Sequence, residues 1–275
     1  MGYIKHKFKE YYDKQPPKTY PEKLLSPSML GGCPRVMYYQ LNDIKQTTPP
    51  DCNAQMNFQV GHLWEMQTAL TLDKLGVLIN WWCEGQDSRL VNTDMWSSNE
   101  VLRKDKWIDE ELHIAGTPDI LYYQDGKVVL LDSKTASEGK SSKVAKLSDE
   151  EFWRVEYGHK MQLGAYLILQ KRRYEAGLEK HKVDYGKLVI FSKDNGHIIK
   201  EPVLFYSEQL EKDVLNRCNE LWSFISNNIK PPCTCNIENE HNFKKWRVSY
   251  CNYGNVDSMQ PNYKKKIVPT KCCEL

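Results

Sequence analysis

The chain has 275 residues, 40% hydrophobic and 27% charged, with a formal net charge of +2. That is enough for a sizeable core and is ordinary for a globular protein; no apolar run reaches the ~20 residues of a bilayer span. A balance this close to neutral excludes nucleic-acid binding by bulk charge, so such a site has to be a local patch.

The opening residues, MGYIKHKFKEYYDK, lack the apolar stretch of a signal peptide. His6 stands where the myristoylation pattern needs Ser or Thr. A cytoplasmic protein is the expectation. The chain has nine cysteines, an odd number, and in an intracellular setting clustered cysteines point to metal binding before disulfides. Cys233, Cys235 and Cys251 cluster near the C-terminus with Cys272 and Cys273 beyond, whereas Cys52, Cys83 and Cys218 read as small buried apolar residues.

QPPKTYPEK is a proline-interrupted lead-in. LSPSMLGGCPRVMYYQLN reads as a Ser-capped helical turn, a Gly-Gly-Cys-Pro break and a short helix, and QTTPPD is a loop. From Met56 to Leu75, Phe58, Leu63, Met66, Leu70 and Leu75 recur at helical spacing, which predicts an amphipathic helix closed by Gly76. Two short strands, Leu112–Ala115 and Ile120–Tyr123, flank GTPD; Asp125-Gly126 gives a tight turn and Val128–Asp132 the returning strand. ASEGKSSKVAKLSD reads as a flexible loop. Ser148 and Glu151 form a capping box that opens one long helix through Tyr174. Residues 186–206 predict a hairpin with Asn195-Gly196 at its turn, followed by a helix from Glu208 to Ile225 and the cysteine-bearing tail. The class is α/β, a mixed central sheet flanked by helices.

The chemistry gathers at the hairpin GTPDILYYQDGKVVLLDSK. Side chains alternate along a strand, so Asp132 and Lys134 share a face, and Asp119 heads the partner strand at the same end. Two converging carboxylates beside a lysine suit a hard divalent cation such as Mg²⁺ with phosphate oxygens nearby. Such an ion promotes attack by water and polarises a phosphoryl oxygen, while the lysine steadies developing negative charge.

GTPD followed by LLDSK resembles the signature of the PD-(D/E)XK nuclease superfamily, and most closely its branch of RecB- and AddB-like exonucleases, which includes CRISPR-associated and phage enzymes. SPSMLGGCPRVMYY resembles that branch's N-terminal cysteine segment, GHLWE its early histidine motif and QLGAY its Q-x-x-x-Y helix motif. The motifs occur in the family's order over roughly residues 26–251. The resemblance implies a nuclease core at 56–229, a helical segment at 1–55 with Cys33, and a cysteine-containing segment at 230–275 packed with it in one integrated domain. It makes Asp119 and Asp132 metal ligands, with Ser133 offering its carbonyl and His62 as a ligand or close neighbour. Lys134 becomes the catalytic lysine, and Gln162 and Tyr166, four apart on one helix face, are turned to the active site. Lys140, Lys143 and Lys146 are candidates for guiding the DNA backbone or are simply solvated.

Iron–sulfur members of this branch hold a [4Fe–4S] cluster on one early and three late cysteines. Here that implies Cys33, Cys233, Cys235 and Cys251, with zinc on the same ligands or free thiols as alternatives. WRVSYCNY places Val248 where a cysteine is often found, so Cys272 or Cys273 competes with Cys235 for the fourth place. The implied activity is a Mg²⁺- or Mn²⁺-dependent DNA exonuclease acting on ends, with single-stranded DNA among its substrates. A silent DNA-end-binding adaptor and an endonuclease on the same fold are the alternatives. Relatives that ring DNA make a homo-oligomer an open expectation, as is a partner protein of recombination, CRISPR or phage type.

Overall fold

The computed structural model of the protein describes residues 3–14, 23–44, 46, 50–82, 96, 101–103 and 105–232. In chain order these form helix α1 (Tyr3–Asp13), a 3-10 turn (Pro27–Met29), α2 (Pro34–Leu41), α3 (Cys52–Lys74) and strands β1 (Leu78–Trp82), β2 (Leu102–Arg103), β3 (Trp107–Asp109) and β4 (Ile114–Gly116). The hairpin strands β5 (Ile120–Gln124) and β6 (Lys127–Ala136) follow, then α4 (Glu138–Val144), α5 (Asp149–Val155) and α6 (Tyr157–Glu175). Strands β7 (Tyr185–Ser192), β8 (Ile198–Lys200) and β9 (Val203–Leu204) and helix α7 (Glu208–Ser226) complete the described elements. None of the described helices is long and apolar enough to cross a membrane.

Packing divides the chain into two compact units, residues 1–25, 32–56 and 219–275 in one and residues 26–31 and 57–218 in the other. In the first, α1 forms where the sequence reading assigns no regular structure. Its polar surface is tied by Glu10, which accepts from Lys7 Nζ at 2.9 Å and Lys14 Nζ at 2.8 Å, the helical i,i+3 and i,i+4 spacings. Arg35 Nε on α2 donates to the Pro231 carbonyl at 2.8 Å, and Tyr38 Oη donates to Asn228 Oδ1 at 2.8 Å. Cys33 caps the start of α2 and is buried. Cys83, Cys233, Cys235, Cys251, Cys272 and Cys273 lie outside the described residues.

The second unit is built on a mixed sheet, in agreement with the sequence reading. Its strand order is β2-β1-β5-β6-β7-β8, with β9 also paired to β7. β6 runs antiparallel to β5 and parallel to β7, so α4, α5 and α6 form the crossover that parallel pairing demands. The turn between β5 and β6 has Asp125 and Gly126 both at positive φ, 50° and 75°, as a two-residue hairpin turn of matching twist requires. On one face Val129, Leu131, Ile120, Val189 and Phe191 pack with Ala69 and Leu70 of α3; each fully buried aliphatic contributes roughly 1.5–3 kcal/mol. Cys218 of α7 is buried, and burial pushes its thiol up to about 12, whereas Cys52 is only half-buried.

Two expectations need correction. The stretch after β6 is not a loop: residues 138–144 form α4, because Val144 turns into the core and anchors the turn. The helix opened by Ser148 is not continuous either. Its capping box is present, but Glu156 leaves the helical region at φ −93°, ψ 45° and separates α5 from α6. The residue's carboxylate is buried and bonded to Lys140 Nζ of α4. A tertiary contact thereby overrides a continuous helical pattern.

Candidate active site

From Val129 to Leu131, β6 has ladder partners on both sides, but its antiparallel register with β5 ends at Ile120 opposite Leu131. Beyond that point only β7 pairs with it, through Ala136. The chain supplies a side chain where the ladder stops: Asp119 Oδ2 accepts from the Ser133 backbone N–H at 2.8 Å. The Asp119 carbonyl meanwhile accepts from Trp82 N at 3.0 Å and holds the end of β1. Asp119 is therefore fixed at both its main chain and its carboxylate.

Asp132 is 1% exposed. Lys134 Nζ sits 2.6 Å from its Oδ2, as the shared strand face requires, and donates to the Ser133 carbonyl at 3.3 Å. Gln162 Nε2 of α6 donates to Asp132 Oδ1 at 3.1 Å, so both carboxylate oxygens are engaged. Tyr166, one turn further along α6, donates to the Thr117 carbonyl at 2.7 Å. It secures the segment leading into Asp119. Among the remaining sequence candidates, Lys143 and Lys146 are exposed, while Lys140 is held by Glu156.

The opposite face brings in a residue that the sequence reading does not name. In GHLWE, Gly61 faces Thr135 Oγ1 across 4.0 Å of space for a Cβ, and Trp64 stacks on Phe191 with centroids 5.3 Å apart and an interplanar angle of 12°. These contacts dock α3 onto the sheet beside β6 and direct Glu65 to the site, where its Oε1 accepts from Trp81 Nε1 at 2.9 Å. His62 is exposed and its Nδ1 lies 3.8 Å from Glu65 Oε2. The only sequence signal for Glu65 is its place three residues after the motif histidine.

The electrostatics are those of a crowded anionic site. Burial raises the proton affinity of Asp119 well above the ordinary carboxylate range, and the charges of Glu65 and Asp132 raise it further. Burial raises that of Asp132 as well, with Lys134 opposing. For Lys134, burial works against the charge, but Asp132 and Asp119 outweigh it and push its pKa up, so the lysine stays protonated. Two buried carboxylates of raised proton affinity beside one ammonium group are a setting that a divalent cation relieves. The donor set, carboxylate oxygens with the Ser133 peptide carbonyl, is the kind that hard cations take. Among the described residues no group of three or more His, Cys, Asp or Glu stands where it could hold a metal ion between them.

The family model of the PD-(D/E)XK nuclease superfamily matches residues 39–256. That stretch is most of the chain, and the protein belongs to this superfamily, whose members typically work with Mg²⁺ or Mn²⁺. Among solved structures, the crystal structure of SSO0001 is similar at 15% identity, covering 94% of this chain and 93% of that one, with a TM-score of 0.42. No curated protein matches the chain.

Proposed function

We propose that the protein is a metal-dependent deoxyribonuclease that hydrolyses phosphodiester bonds from DNA ends, single strands included. The observation that carries the reading is the convergence of Asp119, Asp132, Lys134 and Glu65 where the β5–β6 ladder opens. Asp119, Asp132 and the Ser133 carbonyl would hold Mg²⁺ or Mn²⁺, with Glu65 and His62 alongside. The ion, when bound, supplies Lewis acidity toward a phosphoryl oxygen and promotes water as the nucleophile. Lys134 places a positive charge where negative charge grows on the phosphoryl group. Gln162 orients Asp132, and Tyr166 keeps the Thr117–Asp119 segment against the sheet.

The domain plan and the cytoplasmic setting set out from the sequence belong to the same proposal, as do DNA guidance by Lys143 and Lys146 and an iron–sulfur cluster on Cys33, Cys233, Cys235 and Cys251. Iron, acid-labile sulfide and zinc analysis of the purified protein decides between the cluster and a zinc site. The activity is tested with end-labelled linear single strands, linear duplex and closed circles plus Mg²⁺ or Mn²⁺, alongside Lys134→Ala. Metal-dependent loss of linear DNA with circles spared and the variant inert is the expected result. Cleaved circles would make it an endonuclease, and binding of ends without cleavage by folded, metal-loaded protein would make it an adaptor.

A further inference from the structure

A cavity beside α6 has no part in the chemistry above. Its volume is about 820 Å³, within the range of small-molecule sites, and α5, the start of α6, the end of β9 and the start of α7 line it. Lys160 lines this cavity, whereas Gln162 reaches Asp132. Residues two apart on a helix do not share a face, so the cavity is separate from the carboxylate site.

Its walls are held by contacts of their own. Trp153 Nε1 donates to the Val203 carbonyl at 2.8 Å and the Val203 N–H donates to Asp149 Oδ2 at 3.3 Å, which ties α5 to β9. A Cβ on Gly164 would stand 2.9 Å from Leu210 Cδ1, so α6 and α7 pack closely. The Phe205 ring lies against Tyr185 with centroids 5.6 Å apart. The cavity is thus formed before any ligand arrives.

Its lining combines flat apolar surface with uncompensated charge. Trp153, Leu204 and Leu210 are buried, but two further rings are left open, Tyr157 at 48% and Phe205 at 63% exposure. Arg154 and Lys160 line the same cavity, and neither is held by a salt bridge among the described residues. Two of the lining carboxylates are already engaged: Glu151 Oε2 accepts from the Ser148 N–H at 2.9 Å, and Asp213 Oδ1 from Gln209 Nε2 at 2.8 Å. Open aromatic faces stack on bases, and free cations take a phosphate. An apolar partner segment would leave both cations unanswered, and an acidic peptide would leave the rings so. Two cations with Glu150 close by in the lining match a single phosphate and not a polyphosphate chain.

We propose that this cavity is a nucleotide-binding site: it takes one nucleotide unit, free or within a DNA strand, with the base on Tyr157 and Phe205 and the phosphate on Arg154 and Lys160. The inference does not rest on the nuclease reading.

The test is a titration of the full chain in EDTA, where no divalent ion can hold a phosphate at the carboxylates. Deoxycytidine monophosphate, deoxycytidine, inorganic phosphate and a short oligodeoxythymidylate are the probes. Calorimetry gives affinity, and the Trp153 indole N–H signal, assigned by its loss in Trp153→Phe, gives location. The mononucleotide is expected to shift that signal and to bind at least about tenfold more tightly than the nucleoside. Arg154→Ala combined with Lys160→Ala should abolish that difference. Tyr157→Ala or Phe205→Ala should weaken nucleotide and nucleoside alike by about fivefold or more. Thermal melts check that each variant is folded, and Lys134→Ala should bind as the wild type does. An oligonucleotide that binds more tightly through the same four side chains identifies a strand as the source; one that binds no better identifies the free nucleotide.

Equal affinity for nucleotide and nucleoside, or affinity indifferent to the four substitutions, overturns the proposal. So does a Trp153 signal unmoved by millimolar nucleotide in the wild type, which would leave the cavity to a protein partner. A wild type inert on DNA that still binds nucleotide would remove the nuclease reading and leave this site standing. An active nuclease that binds none in EDTA would do the reverse.

Discussion

Val129–Leu131 and Asp132–Ala136 are consecutive stretches of one strand, made by the same backbone and paired to the same neighbour β7. The first is apolar, buried and laddered on both sides. The second has lost its β5 partner, and there polar residues take over. The parallel strand β7 sets the contrast: opposite Asp132 and Lys134 it carries Leu188 and Ile190, and it is buried along its whole length. A strand with partners on both sides needs only shape. A strand released on one side leaves backbone groups to be satisfied, and the Asp119 carboxylate that satisfies the Ser133 N–H is by the same act brought beside Asp132. Hydrogen-bond necessity and site assembly are one arrangement here.

The sharpest way to break this contrast is to mutate adjacent residues across the boundary. Asp132→Asn removes a charge at nearly constant volume and is expected to lower the cleavage rate by about 100-fold to a thousandfold while the protein stays folded, since transition-state electrostatics are worth about 10²–10³ for a single group. Leu131→Ala is expected to do the reverse, destabilising by about 2–5 kcal/mol through the cavity it leaves, with the rate per folded molecule retained. Digestion assays and denaturant melts of both variants check this. Comparable loss of activity in the two at equal folded fraction would erase the boundary.

A smaller effect is expected at Gln162, which holds the polar half from the α6 side. Gln162→Ala leaves Asp132 Oδ1 without its donor, and loss of a group that orients a ligand typically costs about 10–100-fold in metal affinity or activity. The same reasoning gives a binding prediction for the wild type. A metal at 100 times its dissociation constant adds about 2.7 kcal/mol of stability, so Mg²⁺ or Mn²⁺ should raise the melting temperature of the wild type but not of Asp119→Asn or Asp132→Asn.

The anionic crowding also has a signature in pH. Asp119 binds its proton more tightly folded than unfolded, so between its unfolded value and its raised folded value the native state holds more protons. Stability from this group therefore falls as pH rises through that window and is regained as pH falls toward the ordinary carboxylate range. Measured without metal, wild type should gain stability relative to Asp119→Asn as the solution is acidified from neutral, and saturating Mg²⁺ should shrink the difference. A difference independent of pH would mean that burial and the charges of Glu65 and Asp132 do not raise the proton affinity of Asp119.

How much of this was legible in the sequence follows from how local each part is. The hairpin is written in neighbouring residues: alternation, Asp125-Gly126 and the period of two that puts Asp132 and Lys134 on one face. Glu65 is not, because nothing in α3 states which of its residues will face β6. That is settled by Trp64 on Phe191 and Gly61 against Thr135, contacts across more than 70 residues of chain. The break at Glu156 is equally invisible, since its cause is Lys140 on a helix the sequence disguises as a Ser- and Lys-rich loop.

Tyr166 falls between these cases. Its spacing of four from Gln162 puts the two on one face of α6, and the hydroxyl donates to the Thr117 carbonyl. Its effect on chemistry is therefore indirect and should be the smallest of the set. Tyr166→Phe keeps the buried ring, which contributes to the packing against Gly116, and removes one hydrogen bond to a main-chain acceptor. The expected cost is about 1 kcal/mol of stability, read from a denaturant midpoint with unchanged slope, and a rate loss smaller than that of Gln162→Ala. A larger rate loss in Tyr166→Phe would place the hydroxyl on the substrate side of the boundary. The division between residues that position the Thr117–Asp119 segment and residues that touch the reacting group would then have to be redrawn.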